Sequence, residues 1–159
     1  MAKSIPLTQN RFAVVDDQDF EWLNQWKWFY HAGYAVRNIT VGKKKQKMIW
    51  MHRQILDIPD GVEGDHKDRD TLNNQRFNLR PATHSENCKN RKIRSDNKSG
   101  FIGVHWNKQR EKWQSSIKAN GKRLHLGFFI EPEKAALAHD EAARKYYGDF
   151  SVLNFDERQ

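Results

Sequence analysis

The chain has 159 residues, enough for one domain or two small ones. Its net charge of +8, from 28 Lys and Arg against 20 Asp and Glu, points to a polyanion or an anionic surface as partner. A single cysteine, Cys88, excludes an internal disulfide framework and a cysteine-rich zinc site. The mixed opening residues read neither as a signal peptide nor as a membrane span, so a cytoplasmic compartment is expected.

In chain order, Phe12-Ala13-Val14-Val15 is a short apolar run that suits a strand. Asp16, Asp17 and Asp19 then mark a helix start ahead of Phe20-Glu21-Trp22-Leu23. Trp26, Trp28 and Tyr30 alternate, as does the stretch around Tyr34-Ala35-Val36-Arg37, and both predict strands with one buried face. At that spacing the tryptophans are expected in the core rather than as a base-stacking platform. Residues 48–66 combine an apolar run, a Pro59-Asp60-Gly61 turn and an Asp65-His66 ending, which predicts one arm of a hairpin. His52 falls on the apolar part and is expected to make a buried structural hydrogen bond. A polar loop, residues 67–74, separates this arm from Arg76-Phe77-Asn78-Leu79-Arg80-Pro81. Thr83-His84-Ser85-Glu86 has capping-box form, predicting a helix with Thr83 as N-cap, Glu86 at N3 and Asn87 in its early turns. His84, in the first turn, is placed toward either phosphate or solvent.

This strand–loop–strand–helix order carries a chemical logic. Cutting a phosphodiester needs an activated water and stabilisation of charge on the leaving oxygen. A histidine can take the water's proton near neutral pH, and a divalent ion held by hard oxygen ligands can stabilise the leaving oxygen. Asp65 and Asn87 supply such oxygens beside His66, and Mg²⁺ often keeps several waters and takes other ligands from a substrate phosphate. Taken singly, an Asp-His pair is commonly a surface turn and Asn78 a strand cap. In this order and on this frame, the set reads as a site.

These residues resemble the HNH endonucleases of phage and homing enzymes. The match runs through Met51-His52-Arg53, Gly64-Asp65-His66-Lys67-Asp68, Leu72-Asn73-Asn74, Phe77-Asn78-Leu79-Arg80 and Ser85-Glu86-Asn87. It covers residues 48–90 closely and residues 1–47 more loosely. The resemblance implies a ββα-metal core. In it His66 is the general base, Asp65 and Asn87 bind a divalent metal (Mg²⁺ first, Mn²⁺ second), and Asn78 braces the loop that orients His66. The third position of the motif is Asn87 here rather than His.

Residues 89–94, Lys-Asn-Arg-Lys-Ile-Arg, are strongly basic, and Arg91 and Lys92 are candidate DNA contacts. Residues 95–99 have linker composition. From Gly100 the pattern is cleaner. Phe101-Ile102-Gly103-Val104-His105-Trp106, residues 112–119 and residues 122–129 predict three strands, the last two joined by an Asn120-Gly121 hairpin turn. Pro132-Glu133 opens a helix on which Ala135, Ala136, Ala138, Ala142, Ala143 and Tyr146 recur at near-helical spacing before Gly148. Alternation places Val104, Trp106, Trp113, Ser115, Ile117, Leu124 and Leu126 against that helix. The other face would show His105, Asn107, Gln114, Ser116, Lys118, Arg123 and His125, the polar and cationic chemistry that reads a DNA major groove. This module resembles the APETALA-two / ethylene-response-factor (AP2/ERF) DNA-binding domain through Gly103-Val104, Lys112-Trp113, Ile117-Lys118, Leu126-Gly127-Phe128, Glu133-Lys134-Ala135-Ala136, His139-Asp140-Glu141-Ala142-Ala143 and Leu153-Asn154-Phe155. The resemblance implies DNA contacts at His105, Ser116, Lys118, Arg123 and His125, with Asn154 and Phe155 closing the fold on the helix.

The expectation is therefore an α+β chain. A nuclease module (residues 1–94, core 48–90, with extra N-terminal strands) precedes a linker (95–99) and a three-stranded antiparallel sheet packed on one helix (100–156). It would act on double-stranded DNA, as a monomer on DNA and without a membrane, in a bacterial or phage-infected cell. A non-catalytic DNA-binding regulator is the rival reading. RNA binding is disfavoured because the third-strand face lacks an aromatic stacking pair.

Overall fold

A computed structural model describes residues 1–42, 45–90, 93 and 95–155. The fold is α+β, and the chain divides into two compact units, Met1–Asn87 and Cys88–Gln159.

The first unit opens with β1 (Ala2–Pro6) paired antiparallel to β2 (Phe12–Asp16), and Ile5, Ala13 and Val15 are buried. α1 (Asp17–Asn24) follows directly, with Asp17 and Asp19 in its first turn where the helix dipole favours negative charge. Asp19 is buried and accepts from Arg76 Nε and Nη2 at 2.8 and 2.7 Å. β3 (Phe29–His31), β4 (Tyr34–Val41) and β5 (Lys45–Trp50) form an antiparallel sheet in that order. Trp26 and Trp28, expected on a strand, lie in the segment before β3 instead. Trp28 is buried and donates from Nε1 to the Leu23 carbonyl at 2.8 Å, while Trp22, Trp26 and Trp28 meet edge to face. The core reading of these tryptophans holds, but indole packing and not strand pairing fixes their places.

The largest departure from the sequence reading is at residues 51–56. β5 does not continue into a hairpin arm; it ends at Trp50 and gives way to α2 (Met51–Leu56). Met51, His52 and Ile55 are its buried residues, a spacing that brings one helical face to the core. Asp57, in a left-handed conformation (φ 48°), terminates the helix. Arg53 then clamps the turn that follows, donating to the carbonyls of Val62 and Pro59. That turn delivers β6 (Glu63–His66), which pairs with β7 (Leu79–Ala82) in the register Asp65 to Arg80 and His66 to Leu79. α3 (His84–Asn87) closes the ββα arrangement, and its capping box is formed. Thr83 N donates to Glu86 Oε2 at 2.8 Å, and Glu86 N donates to Thr83 Oγ1 at 3.2 Å.

In the second unit, β8 (Val104–Asn107), β9 (Lys112–Ala119) and β10 (Lys122–Phe129) form an antiparallel sheet in the order β10-β9-β8, covered by α4 (Pro132–Tyr147). Asn120 and Gly121 turn the β9–β10 hairpin with φ of 50° and 75°, as that dipeptide predicts. Ala135, Ala136, Ala142 and Ala143 are buried, so small side chains set the close approach of helix to sheet. Asn154 and Phe155 close the fold through Asp140. This buried carboxylate accepts from Asn154 N and Nδ2 and from Phe155 N, each at 2.9 Å. Within residues 95–99, Ser99 Oγ donates to the Val104 carbonyl at 2.9 Å, and Asn97 Nδ2 donates to that of Phe101 at 2.9 Å.

Candidate functional site

Asp65 and His66 end β6, and both are buried at 4 % exposure. Alternation along the strand separates their surroundings. Gly64 and His66 face α2, where the His52 and His66 rings meet at 5.0 Å and a Cβ on Gly64 would stand 2.5 Å from the His52 ring. Glu63 and Asp65 share the other face. Arg80, directly opposite on β7, donates to Asp65 Oδ2 through Nε at 2.7 Å and Nη2 at 2.6 Å.

Residues 67–78 connect β6 to β7, and Asn78 organises them. Its Oδ1 accepts from Asp68 N at 2.9 Å, and its Nδ2 donates to Asp68 Oδ1 at 2.9 Å and to the Asn73 carbonyl at 2.7 Å. Lys67 N in turn donates to the Asn78 carbonyl at 2.9 Å. The loop is also stitched to β2: Val14 N donates to Leu72 O, and Asn74 N to Val14 O. These bonds hold Asn74, fully buried, with Oδ1 3.4 Å from His66 Nε2. Asn74 Nδ2 is committed to the Leu72 carbonyl at 3.1 Å, so the group facing His66 is an acceptor and His66 Nε2 is the nitrogen that carries hydrogen. The neutral tautomer this selects has Nδ1 unprotonated. Burial lowers the His66 pKa from its ordinary value, against the opposing pull of Asn74, Asp68, Asp65 and Asp70. Asn74 and Arg80 were quoted in the sequence motifs without a role; direct opposition of Asp65 and Arg80 becomes visible only with the β6–β7 register.

His52 is buried as expected, but its contacts among the described residues are rings: Tyr34, Trp50 and His66 at 5.5, 6.1 and 5.0 Å. Burial, then the neighbouring charges of His66 and Arg53, lowers its pKa to about 3. His84 is exposed to solvent, as one of its two expected placements had it, and its Nδ1 lies 2.7 Å from Glu63 Oε1. Asn87, on α3, donates from Nδ2 to Glu63 Oε2 at 2.6 Å.

The donor set fits a hard divalent cation with few protein ligands. A carboxylate accepts only, so the Asn87 amide must turn its nitrogen to Glu63 and its oxygen away, leaving an oxygen donor of the kind Mg²⁺ prefers. Among the described residues no group of three His, Cys, Asp or Glu could enclose a metal.

On the second unit, His105, Lys118, Arg123 and His125 are exposed on the sheet, as alternation predicts. Ser116 differs. It is buried at 9 % exposure, its amide donates to the Gly103 carbonyl at 3.0 Å, and it lines a cavity of about 470 Å³ with Gly103, Lys118 and His139. The bond to Gly103 extends the β8–β9 ladder by one residue, and Ser116 is less accessible than Gln114 and Lys118 beside it on the same face. Arg91 and Lys92 lie outside the described residues. A register shift between His125 and Gly127 also reverses the faces at the end of β10. Phe128 consequently pairs with Gln114, meets the His125 ring at 4.5 Å and carries the Arg110 guanidinium at 4.8 Å. The sheet face thus has an aromatic that strict alternation hides. Trp106, expected against the helix, is 46 % exposed and meets Trp113 edge to face at 5.2 Å.

No family model matches the chain. An uncharacterized HNH endonuclease of Acanthamoeba polyphaga mimivirus is 30% identical over 146 residues, 90% of this chain and 74% of that protein. Protein 3.8 of Escherichia phage T7 is 42% identical over 66 residues, which are 42% of this chain and 54%, about half, of that protein. A dehydration-responsive element-binding protein of Oryza sativa subsp. japonica is 51% identical over 45 residues, 27% of this chain and 14% of the plant protein. An AP2-like ethylene-responsive transcription factor of Arabidopsis thaliana is 43% identical over 58 residues, 35% of this chain and 10% of that protein.

Proposed function

The chain belongs to the HNH endonuclease family, and from that premise we propose that it is a metal-dependent endonuclease that hydrolyses phosphodiester bonds in double-stranded DNA. His66 is the general base: its Nδ1 takes the proton of the attacking water while Nε2–H stays on Asn74. The lowered pKa keeps the imidazole uncharged and able to accept a proton near neutral pH. Asp65 and the amide oxygen of Asn87 would hold a divalent ion, Mg²⁺ or in its place Mn²⁺. When bound, that ion supplies positive charge to the phosphate and its leaving oxygen. Asn78 acts through the loop, keeping Asn74 and hence the His66 ring in register. The observation that supports this reading best is the buried, uncharged His66 braced at the end of β6 beside Asp65.

The second unit binds the duplex in this reading, with His105, Lys118, Arg123 and His125 on the exposed face and Phe128 among them. It holds the chain, a monomer on DNA, at the site to be cut. One ββα site cuts one strand at a time, so the product is a nicked circle. Supercoiled plasmid incubated with Mg²⁺ or Mn²⁺ tests this: the wild type should relax it and His66→Ala should not. Equal relaxation by both would refute the catalytic assignment. Salt-sensitive DNA binding without cutting in either metal would favour a non-catalytic DNA-binding regulator.

A further inference from the structure

We propose that Glu63 is a positioning residue that fixes which end of the Asn87 amide is presented to the metal. The proposal rests on the reading of Asp65 and Asn87 as the metal-holding pair and gives that pair a third member. Glu63 lies two residues before Asp65 on β6, so the two side chains share a face about 7 Å apart. Its Oε2 accepts from Asn87 Nδ2 at 2.6 Å, and its Oε1 lies 2.7 Å from His84 Nδ1.

A carboxamide has two orientations related by a flip, and only its oxygen can bind a hard cation. Glu63 removes the ambiguity, because a carboxylate has nothing to donate to an amide oxygen. His84 occupies the second carboxylate oxygen and so limits rotation of Glu63 itself. α3 is held independently: Asn87 N donates to the Thr83 carbonyl at 3.0 Å, within the turn fixed by the Thr83–Glu86 capping box. The α3 backbone thus has a hold of its own in the capping box, while Glu63 holds the side chains of His84 and Asn87. That hold on Asn87 matters here because the pair has few other protein ligands to compensate for a misplaced oxygen.

Two readouts on the full chain test the assignment. The first is metal-free: the side-chain amide signals of Asn87 in a ¹H–¹⁵N spectrum. In the wild type these should show the downfield shift of a proton donated to a carboxylate. Glu63→Ala should abolish the shift while the Asn78 amide signals stay in place. The second is the Mn²⁺ concentration for half-maximal plasmid nicking. Glu63→Ala should raise it about tenfold or more, with a smaller change in the rate at saturating metal. Asn87→Asp should be defective because it sets two carboxylates against each other. Adding Glu63→Gln to it should restore activity, since the new amide can donate across the same gap; loss of fold alone would give no such rescue. An unshifted Asn87 amide in the wild type, or Mn²⁺ dependence unaltered in Glu63→Ala, overturns the positioning role. If His66→Ala nicks as well as wild type while the Asn87 shift still depends on Glu63, the assignment of His66 as general base fails and the positioning role stands.

Discussion

Acidification from about pH 7 to about pH 5 should destabilise the first unit through His52. In the fold its pKa is about 3, because the imidazole is buried among Tyr34, Trp50 and His66, whereas in the unfolded chain it returns to about 6.5. Between those values the unfolded state binds a proton that the folded state refuses. Stability is therefore undiminished above about pH 6.5 and is lost as pH falls toward 3. At pH 5 the unfolded side chain has moved about 1.5 pH units below its pKa, worth about 2 kcal/mol. The comparison is wild type against His52→Gln, which removes this titration but leaves the other histidines. Urea unfolding should be followed by resolved amide signals from residues 35–66, so that the second unit does not contribute. The variant should start less stable and lose about 2 kcal/mol less than wild type over the two pH units. Equal losses in the two proteins would refute the argument that His52 is held uncharged by burial.

Three further outcomes follow from contacts elsewhere. Asn78→Ala removes three hydrogen bonds to Asp68 and Asn73 and should cost about 1–3 kcal/mol as well as slowing nicking at saturating metal, measured by urea unfolding and initial rates. Gly103→Ala places a Cβ 1.9 Å from the His139 ring at a φ of +76°; strain and overpacking together should destabilise the second unit by about 2–5 kcal/mol, visible as early loss of its amide signals while those of residues 35–66 persist. Arg123→Ala should weaken duplex binding and lower the slope of log affinity against log salt by about one, measured by titration at several salt concentrations.

The parts of this chain legible in its sequence are those specified by local chemistry. The Thr83–Glu86 capping box forms between side chain and backbone three residues apart, and Asn120-Gly121 meets the left-handed requirement of its turn without distant help. A bracing role for Asn78 comes only from the family resemblance; the structure adds its hydrogen bonds to Asp68 and Asn73 within the loop. What escaped depends on partners distant in sequence or on irregularity. Residues 48–51 look like one apolar run, yet the core takes Met51 and Ile55 from one side of a helix, and only packing divides the run at Trp50. One register shift in β10 turns Phe128 outward, and period-two counting cannot foresee it. Glu63 reads as an ordinary charged strand residue until α3 brings His84 and Asn87 against it.

The central claim is that His66 takes a proton from water in a metal-dependent cut. The direct measurement is the initial rate of supercoiled plasmid nicking in Mg²⁺ near neutral pH, for wild type and His66→Ala prepared side by side, with chelator controls. The account predicts nicked circles from the wild type, no product with chelator, and a rate at least about 10²-fold lower for the variant. Equal rates, or cutting that persists in chelator, would contradict it.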